Sequence, residues 1–231
     1  MSESWREFLY PLGYIASLMF FSRVLVQWIA SEAKQKSIVP LSFWKLSLTG
    51  NILLMLHSFI QVQYHMCVVQ ACNAVISWRN LNLMQPKENQ ISLQKVILLL
   101  GFAVIGSSTA FALQSYLLNQ THEWFRIPTT TWLSQPSTIN PLWHWFGFAG
   151  IILFASRFWV QWWGAERHKT SYLGLSFWWV ALIGDIMCLI YFIRIADPAN
   201  ILGYLFGLVP YMRNLILIRR AEKSKSVEGK T

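Results

Sequence analysis

The sequence contains the stretch FFSRVLVQWIASEAKQKSIVPLSFW at residues 20–44 and a second copy of it, FASRFWVQWWGAERHKTSYLGLSFW, at residues 154–178. A single shift of 134 residues, without a gap, aligns residues 10–84 with residues 144–218 and makes 21 of the 75 positions identical. Two apolar segments would align leucine with isoleucine by chance, but chance would not align Arg23 with Arg157. The chain is therefore an internal duplication.

Seven apolar segments of roughly membrane-spanning length lie along the chain. Three belong to each copy, and one links the copies. Because this fourth helix returns the chain to its starting side, both copies have the same orientation. We predict an all-α integral membrane protein with seven transmembrane helices in a 3+1+3 arrangement of parallel repeats. The segments are residues 8–30, 41–60, 63–84, 95–118, 143–164, 173–193 and 200–218.

The predicted organisation is a series of five regions. They are a first three-helix repeat at residues 8–84, a linking helix at 95–118, an extracytoplasmic interfacial loop at 119–141, a second three-helix repeat at 143–218 and a basic, disordered cytoplasmic tail at 219–231.

The basic residues predict the orientation in the membrane. One side carries only Arg6, Arg126 and Arg194, and the positive-inside rule makes this side extracytoplasmic, so the N-terminus lies outside and the C-terminus in the cytoplasm. The other side carries eleven basic residues: Lys34, Lys36, Lys87, Lys95, Arg167, Lys169, Arg219, Arg220, Lys223, Lys225 and Lys230.

The composition supports a membrane protein, since 55% of residues are hydrophobic, 16% are aromatic and only 13% are charged, with a net charge of +9. A disordered basic protein would lack these apolar residues, and a soluble nucleic-acid binder would carry its basic residues on a polar surface. No nucleic-acid partner is therefore expected. The three cysteines show no metal-ligand spacing, and we expect neither a metal nor a cofactor.

One arginine lies inside the first helix of each repeat, and these two arginines are the first candidates for binding a ligand. Arg23 shares a helix face with Gln27, four residues later, and Arg157 shares one with Gln161. An intramembrane arginine needs a polar cavity or a partner. A guanidinium suits phosphate, which predicts a site for an anionic group. The alternative is an ion pair with the glutamate of the same repeat.

The other candidates also recur in both copies. The tryptophans fit anchoring at the membrane interface or stacking on a sugar. The glutamates stand at helix ends where the dipole opposes them, so an arginine partner, Arg79 or Arg213, is expected. The Arg-Asn pairs complement the dipole of the third helix or contact the ligand. The remaining candidate ligand-binding residues are Trp28, Glu32, Arg79 and Asn80 in the first copy, and Trp162, Glu166, Arg213 and Asn214 in the second.

Asn51 and Asp185 occupy equivalent positions near the middle of the second helix of each repeat. A polar residue at this depth indicates either hydrogen bonding between helices or a functional role. For Asp185 such a role would be proton relay or pairing with Arg157.

The stretches FASRFWVQWWGAERHKTSYLGLSFWWVALIGD (154–185) and DPANILGYLFGLVPYMRNLILI (197–218) resemble the lipid-A-disaccharide synthase N-terminal-like domain family. The first repeat resembles a second copy that keeps SRVLVQW, SE, SFW and RNLNL. This family is similar to the PQ-loop and SWEET group of membrane proteins, which implies the 3+1+3 arrangement. The resemblance also implies a role in lipid A biosynthesis at the bacterial inner (cytoplasmic) membrane.

Three functions follow as hypotheses. The first is binding or translocation of an anionic, phosphorylated lipid or lipid-linked sugar through the paired arginines and glutamines. The second is a non-catalytic membrane subunit that docks a glycosyltransferase. The third, a glycosyltransferase of the lipid-A-disaccharide synthase type, is implied by the resemblance alone and is not expected, because no Gly-rich phosphate loop follows a strand. The expected partners are membrane lipids, and self-association is left open.

Overall fold

The computed structural model describes residues 4–117, 124, 140–171, 173–194 and 198–228. A short helix, α1 (Ser4–Phe8), precedes seven helices of 20 residues or more in this part of the chain. Each of the seven coincides with one apolar segment of the sequence, and the predicted helical class is confirmed. The long helices are α2 (Pro11–Lys34), α3 (Leu41–Ile60), α4 (Tyr64–Leu83), α5 (Leu93–Leu117), α6 (Pro141–His168), α7 (Leu175–Arg194) and α8 (Pro198–Glu228).

Three of these described helices, α2, α5 and α7, are long and apolar enough to cross a membrane. The clearest is α5, in which only Val96 and Phe111 are buried, whereas Phe102, Ile105 and Leu113 are largely exposed. An apolar helix whose side chains are exposed on most faces suits contact with lipid rather than water. The protein is therefore membrane-associated.

The chain divides into two compact units, of which the first contains the residues up to Val26 and those from Pro40 through α5. Here α3 packs against α4, and α4 against α5. Gly50 allows the close approach of α3 to α2, because a Cβ atom at Gly50 would lie 2.8 Å from the ring of Phe20.

The second unit contains Gln27–Val39 together with α6, α7 and α8. In it α6 packs against α7, and α7 against α8. Gly184 is the repeat equivalent of Gly50, and a Cβ atom there would lie 2.6 Å from the backbone nitrogen of Phe154, the equivalent of Phe20. The duplication seen in the sequence is therefore also present in the packing of the first two helices of each repeat.

Two of the helix ends that differ from the predicted boundaries change the predicted tail and the predicted loop. α8 continues to Glu228, ten residues beyond the predicted end at 218, so most of the tail expected to be disordered is helical. α6 begins at Pro141, where the Asn140 side chain caps the helix by accepting a hydrogen bond from the Leu142 backbone nitrogen at 3.0 Å.

Most of the predicted loop at 119–141 lies outside the described residues. Trp124 is described, and it packs on the first unit: its carbonyl accepts a hydrogen bond from the Tyr64 backbone nitrogen at 2.9 Å. Its indole nitrogen donates to Ser115 at 3.1 Å, and its ring lies against Tyr64 and Phe111.

Candidate functional site

Two buried amide side chains, Gln27 of α2 and Asn214 of α8, face each other in the second unit. Gln27 Nε2 donates to Asn214 Oδ1 at 2.8 Å, and Asn214 Nδ2 donates to Gln27 Oε1 at 3.2 Å. Gln27 also donates to the Ser31 hydroxyl, and the Ser37 hydroxyl donates to Asn214. These contacts satisfy both amides within the protein, as buried polar groups require.

Glu32 and Arg213 form a two-armed ion pair in the same unit. Arg213 donates through Nε to Glu32 Oε1 and through Nη2 to Glu32 Oε2, the latter at 2.8 Å. Of the two arginines expected as partners of Glu32, the structure selects Arg213. Glu32 is thus engaged by Arg213, and the alternative in which Arg23 pairs with the glutamate of its own repeat stays a prediction.

Arg23 is buried in the first unit between two aromatic rings and a hydroxyl group. Its guanidinium carbon lies 4.7 Å from the ring centroid of Phe20 and 5.6 Å from that of Phe43. Its Nη1 donates to the Ser47 hydroxyl at 3.1 Å. Cation–π contacts and this hydrogen bond hold the charge in an apolar setting.

Arg157 is the repeat equivalent of Arg23, and it is also buried between aromatic rings. Its guanidinium carbon lies 3.5 Å from the ring centroid of Phe154 and 4.5 Å from that of Phe158, and Nη1 donates to the Phe154 carbonyl. Ala181 occupies the position that corresponds to Ser47, so the hydroxyl partner is missing here. Within the described residues, no carboxylate lies within ion-pair distance of Arg157.

Glu166, the repeat equivalent of Glu32, is buried near the end of α6. It accepts hydrogen bonds from the Trp162 indole nitrogen at 3.2 Å and from Lys169 at 3.4 Å. Trp162 and its counterpart Trp28 are both half-buried. Gln161 is buried like Gln27. The two copies therefore keep the same residue types here but surround them differently.

Arg79 and Asn80 of the first copy contact their own part of the chain. Arg79 Nη1 donates to Asn82 Oδ1 at 2.8 Å and to the Ile91 carbonyl at 2.9 Å. Asn80 donates to the Ile76 carbonyl one turn earlier, at 2.9 Å. Arg79 thus ties the segment after α4 to the end of that helix.

Asn51 and Asp185 differ most between the copies. Asn51 Nδ2 donates to the Ser77 hydroxyl of α4 at 3.0 Å, so the prediction of hydrogen bonding between helices is confirmed for Asn51. Asp185 is 1% exposed, and neither of its carboxylate oxygens accepts a hydrogen bond from the described residues. Tyr211 stands where Ser77 stands in the first copy.

Sequence reasoning missed three residues of this environment, Ser47, Tyr204 and Tyr211. Tyr204 and Tyr211 lie within electrostatic range of Arg157, as Asp185 does. The signal was present in the aligned copies, where alanine and tyrosine replace Ser47 and Ser77.

The described residues include no group of three histidine, cysteine or acidic side chains that could hold a metal ion.

The sequence matches the family described as the Lipid A Biosynthesis N-terminal domain twice, at residues 12–82 and 146–216. The chain belongs to this family. The two matches are offset by 134 residues at both ends, which is the shift that aligns the two copies.

Relatives of this lipid A biosynthesis N-terminal domain protein include lipid-A-disaccharide synthases of Chlamydia. The protein is 37% identical over 215 residues to that of Chlamydia felis and, over the same length, 37% identical to that of Chlamydia caviae. It is 36% identical over 216 residues to that of Chlamydia pneumoniae. These matches cover 93–94% of this chain but 34% of each relative, so the chain spans about a third of their length. No solved structure matches the chain.

All of the candidate residues fall inside the two ranges that match the family. The linking helix α5, the segment 119–141 and the end of α8 fall outside them. The polar groups described above therefore belong to the duplicated domain itself.

Proposed function

We propose that this lipid A biosynthesis N-terminal domain protein binds or translocates the anionic headgroup of a phosphorylated lipid or lipid-linked sugar. The observation that carries the proposal is the environment of Arg157. A guanidinium offers five N–H donors. Of the described residues, only Phe154 accepts a hydrogen bond from the Arg157 guanidinium, through its carbonyl, and no carboxylate pairs with this arginine.

The chemistry of a phosphate fits this arginine. A buried cation without a paired anion is costly, and a phosphate would supply both the charge and the acceptors. Because Arg157 lies within an apolar helix of a membrane-associated protein, a lipid is the most direct source of that phosphate. The lipid-A-disaccharide synthases that the chain resembles are consistent with a lipid-linked sugar as ligand.

Five of the remaining candidates fall into two groups. Arg23 has a hydroxyl partner and is the weaker of the two intramembrane arginines as a ligand site. Gln27, Asn214, Glu32 and Arg213 are engaged with one another, so we assign them to holding α2 against α8 rather than to direct contact with the ligand.

We also propose the membrane arrangement. Seven spans in a 3+1+3 order of parallel repeats cross the bacterial cytoplasmic membrane, with the N-terminus outside and the C-terminus in the cytoplasm. The duplication and the unequal distribution of basic residues support it.

Native mass spectrometry of the full-length protein, extracted in mild detergent, tests the lipid ligand. We expect the wild-type protein to retain a phosphorylated lipid and Arg157→Ala to lose most of it, by about tenfold or more, because charge-assisted hydrogen bonds to phosphate are lost. Arg157→Lys should bind at an intermediate level, since it keeps the charge but not the planar fork.

Arg167→Ala is the matched control, because Arg167 lies on the same helix but is exposed. It should retain the lipid at the wild-type level. Equal retention by Arg157→Ala and the wild-type protein would remove the basis of the proposal.

A second function has one observation in its favour. α8 extends to Glu228 and exposes Arg219, Arg220 and Lys223 near its end, and about two thirds of each relative lies outside the region matched by this chain. We propose, as the alternative, that this basic end of α8 docks a glycosyltransferase in the cytoplasm, without a catalytic role for the chain itself.

A further inference from the structure

The carboxylate of Asp185 has no hydrogen-bond donor among the described residues, although it is 1% exposed at the centre of α7. Its counterpart Asn51 is equally buried, but Ser77 serves as its partner. A buried carboxylate requires a donor, since its hydration is lost on burial. The second repeat therefore contains an acceptor without a donor where the first repeat is satisfied internally.

The space beside this carboxylate depends on Gly207 of α8. A Cβ atom at Gly207 would lie 2.8 Å from Asp185 Oδ1, so any larger residue would press on the carboxylate. The first repeat has Asn73 at the equivalent position. Three residues later, Pro210 interrupts the backbone hydrogen bonding of α8, which provides a point where this helix can bend away from α7.

The neighbours of Asp185 indicate what kind of donor it would accept. Arg157 of α6 lies within electrostatic range of Asp185 and already balances part of its charge, so a neutral hydroxyl can donate to the carboxylate without placing a second cation beside this arginine. Trp178 lies two turns before Asp185 on the same face of α7, and its buried indole N–H has no acceptor among the described residues. A hydroxyl-bearing group can supply both a donor for Asp185 and an acceptor for Trp178.

Aromatic rings complete the surroundings. The ring of Tyr204 stacks on Phe192 with the centroids 5.3 Å apart, and the rings of Trp178 and Tyr211 lie 6.0 Å apart. We call Arg157, Trp178, Asp185, Tyr204, Gly207 and Tyr211 the Asp185 cluster. It combines one cation, one anion and several ring faces on three helices of a single unit.

We propose that the Asp185 cluster binds a phosphorylated lipid whose headgroup carries a hydroxyl group, with the phosphate on Arg157 and the hydroxyl donating to Asp185. The phosphate half rests on the function proposed above. The contact between the headgroup hydroxyl and Asp185 goes beyond that function. It assigns selection of the headgroup to the second repeat, because the first repeat has asparagine instead of a carboxylate. Since the carboxylate is enclosed, the lipid reaches it when α8 moves away from α7.

Three lipids with identical acyl chains separate these contributions when they are titrated against the full-length protein in native mass spectrometry. Phosphatidylglycerol has a phosphodiester and headgroup hydroxyls, phosphatidylmethanol has the same phosphodiester charge without a hydroxyl, and phosphatidylethanolamine carries an ammonium. We expect the wild-type protein to bind phosphatidylglycerol about tenfold more tightly than phosphatidylmethanol, the effect of one hydrogen bond to a charged acceptor.

Asp185→Asn should abolish most of this preference, and phosphatidylmethanol binding should be retained or strengthened, because a negative charge near the phosphate is removed. Gly207→Ala should act in the same direction, because its Cβ would occupy the space beside the carboxylate, and it keeps the question testable if Asp185→Asn does not fold. Asn51→Ala and Gly101→Ala are the matched controls, since Asn51 is the counterpart in the first repeat and a Cβ at Gly101 would meet nothing within 4 Å. Both controls should keep the wild-type preference.

The outcomes distinguish this inference from the proposed function. Equal wild-type affinity for phosphatidylglycerol and phosphatidylmethanol, or a preference that survives both Asp185→Asn and Gly207→Ala, would overturn the hydroxyl site alone, provided that Arg157→Ala loses both lipids. Tighter binding of phosphatidylethanolamine than of either anionic lipid would overturn it in favour of a cationic donor. If Arg157→Ala binds both anionic lipids normally, the proposed function itself fails.

Discussion

At the residue scale, the polar side chains of the second unit differ in whether the protein itself satisfies them. Gln27 and Asn214 exchange two hydrogen bonds, and Glu32 is held by both arms of Arg213. Arg157 and Asp185 have few partners, although both are buried. Groups that are satisfied internally stabilise the fold, whereas groups that are not are the ones from which a ligand can gain binding energy.

The Gln27–Asn214 pair leads to a prediction about stability. Asn214→Ala leaves the amide of Gln27 buried without its main partner, which should lower the free energy of unfolding by about 1–3 kcal/mol. Chemical unfolding in detergent, followed by tryptophan fluorescence, measures this change. Ile216→Ala, at an exposed position two residues later on α8, should have a much smaller effect. If the two variants unfold alike, the pair does not stabilise the protein.

At the scale of the elements, the first two helices of each repeat pack closely at equivalent glycines. Gly50 faces the ring of Phe20, a side chain, whereas Gly184 faces the backbone of Phe154. A side chain can rotate to make room for an added methyl group, but the backbone of a packed helix moves only with the whole helix. The same sequence position is therefore more restricted in the second repeat than in the first.

Alanine substitutions at three glycines test this difference. Gly184→Ala should destabilise the protein by about 1–3 kcal/mol, the usual effect of overpacking, and Gly50→Ala should do so by less. Gly106→Ala on α5, where a Cβ atom would meet nothing within 4 Å, should be neutral or stabilising, because alanine is the better helix former. Thermal unfolding of the three purified variants gives the ranking. Gly50→Ala being the most damaging of the three would contradict the proposed packing.

At the scale of the whole molecule, the two sequence repeats and the two compact units do not coincide. Gln27–Val39 belong to the first repeat, but they are part of the second unit, where they contact α8. The repeats also differ in chemistry. In the first, Arg23 and Asn51 each have a serine hydroxyl as partner. In the second, the equivalent residues are Arg157 and the carboxylate Asp185, and both of those serines are replaced. The proposed ligand recognition therefore belongs to one repeat of a duplicated fold.

The proposed topology is a prediction about the whole chain. A fluorescent protein fused after Thr231 should be fluorescent in the cytoplasm, and alkaline phosphatase inserted in the segment 119–141 should be active outside it. The reason is the excess of basic residues on the C-terminal side. Alkaline phosphatase fused at the C-terminus serves as the opposite control and should be inactive. Activity of that fusion would reverse the proposed orientation.

The helical class, the approximate position of every long helix and the duplication are all predictable from the sequence. Apolar length is a property of consecutive residues, and a constant shift of 134 residues is visible without any structure. The continuation of α8 to Glu228 was not predicted, because the polar composition of this segment is compatible with both a helix and a disordered tail. The list of polar candidates was also available from the aligned copies, since identical charged residues stand out against an apolar background.

The partners of those candidates depend on contacts between residues that are far apart in the chain. Arg213 was one of two arginines available to Glu32, and 181 residues separate the members of the pair that forms. Asn51 and Asp185 had the same two interpretations, and only the packing of the third helix of each repeat, with Ser77 in one case and Gly207 and Tyr211 in the other, distinguishes them. The amino-acid order thus specifies which polar groups enter the helices, and the tertiary structure determines which of them remain in need of a partner, because that depends on which neighbours come within hydrogen-bonding distance.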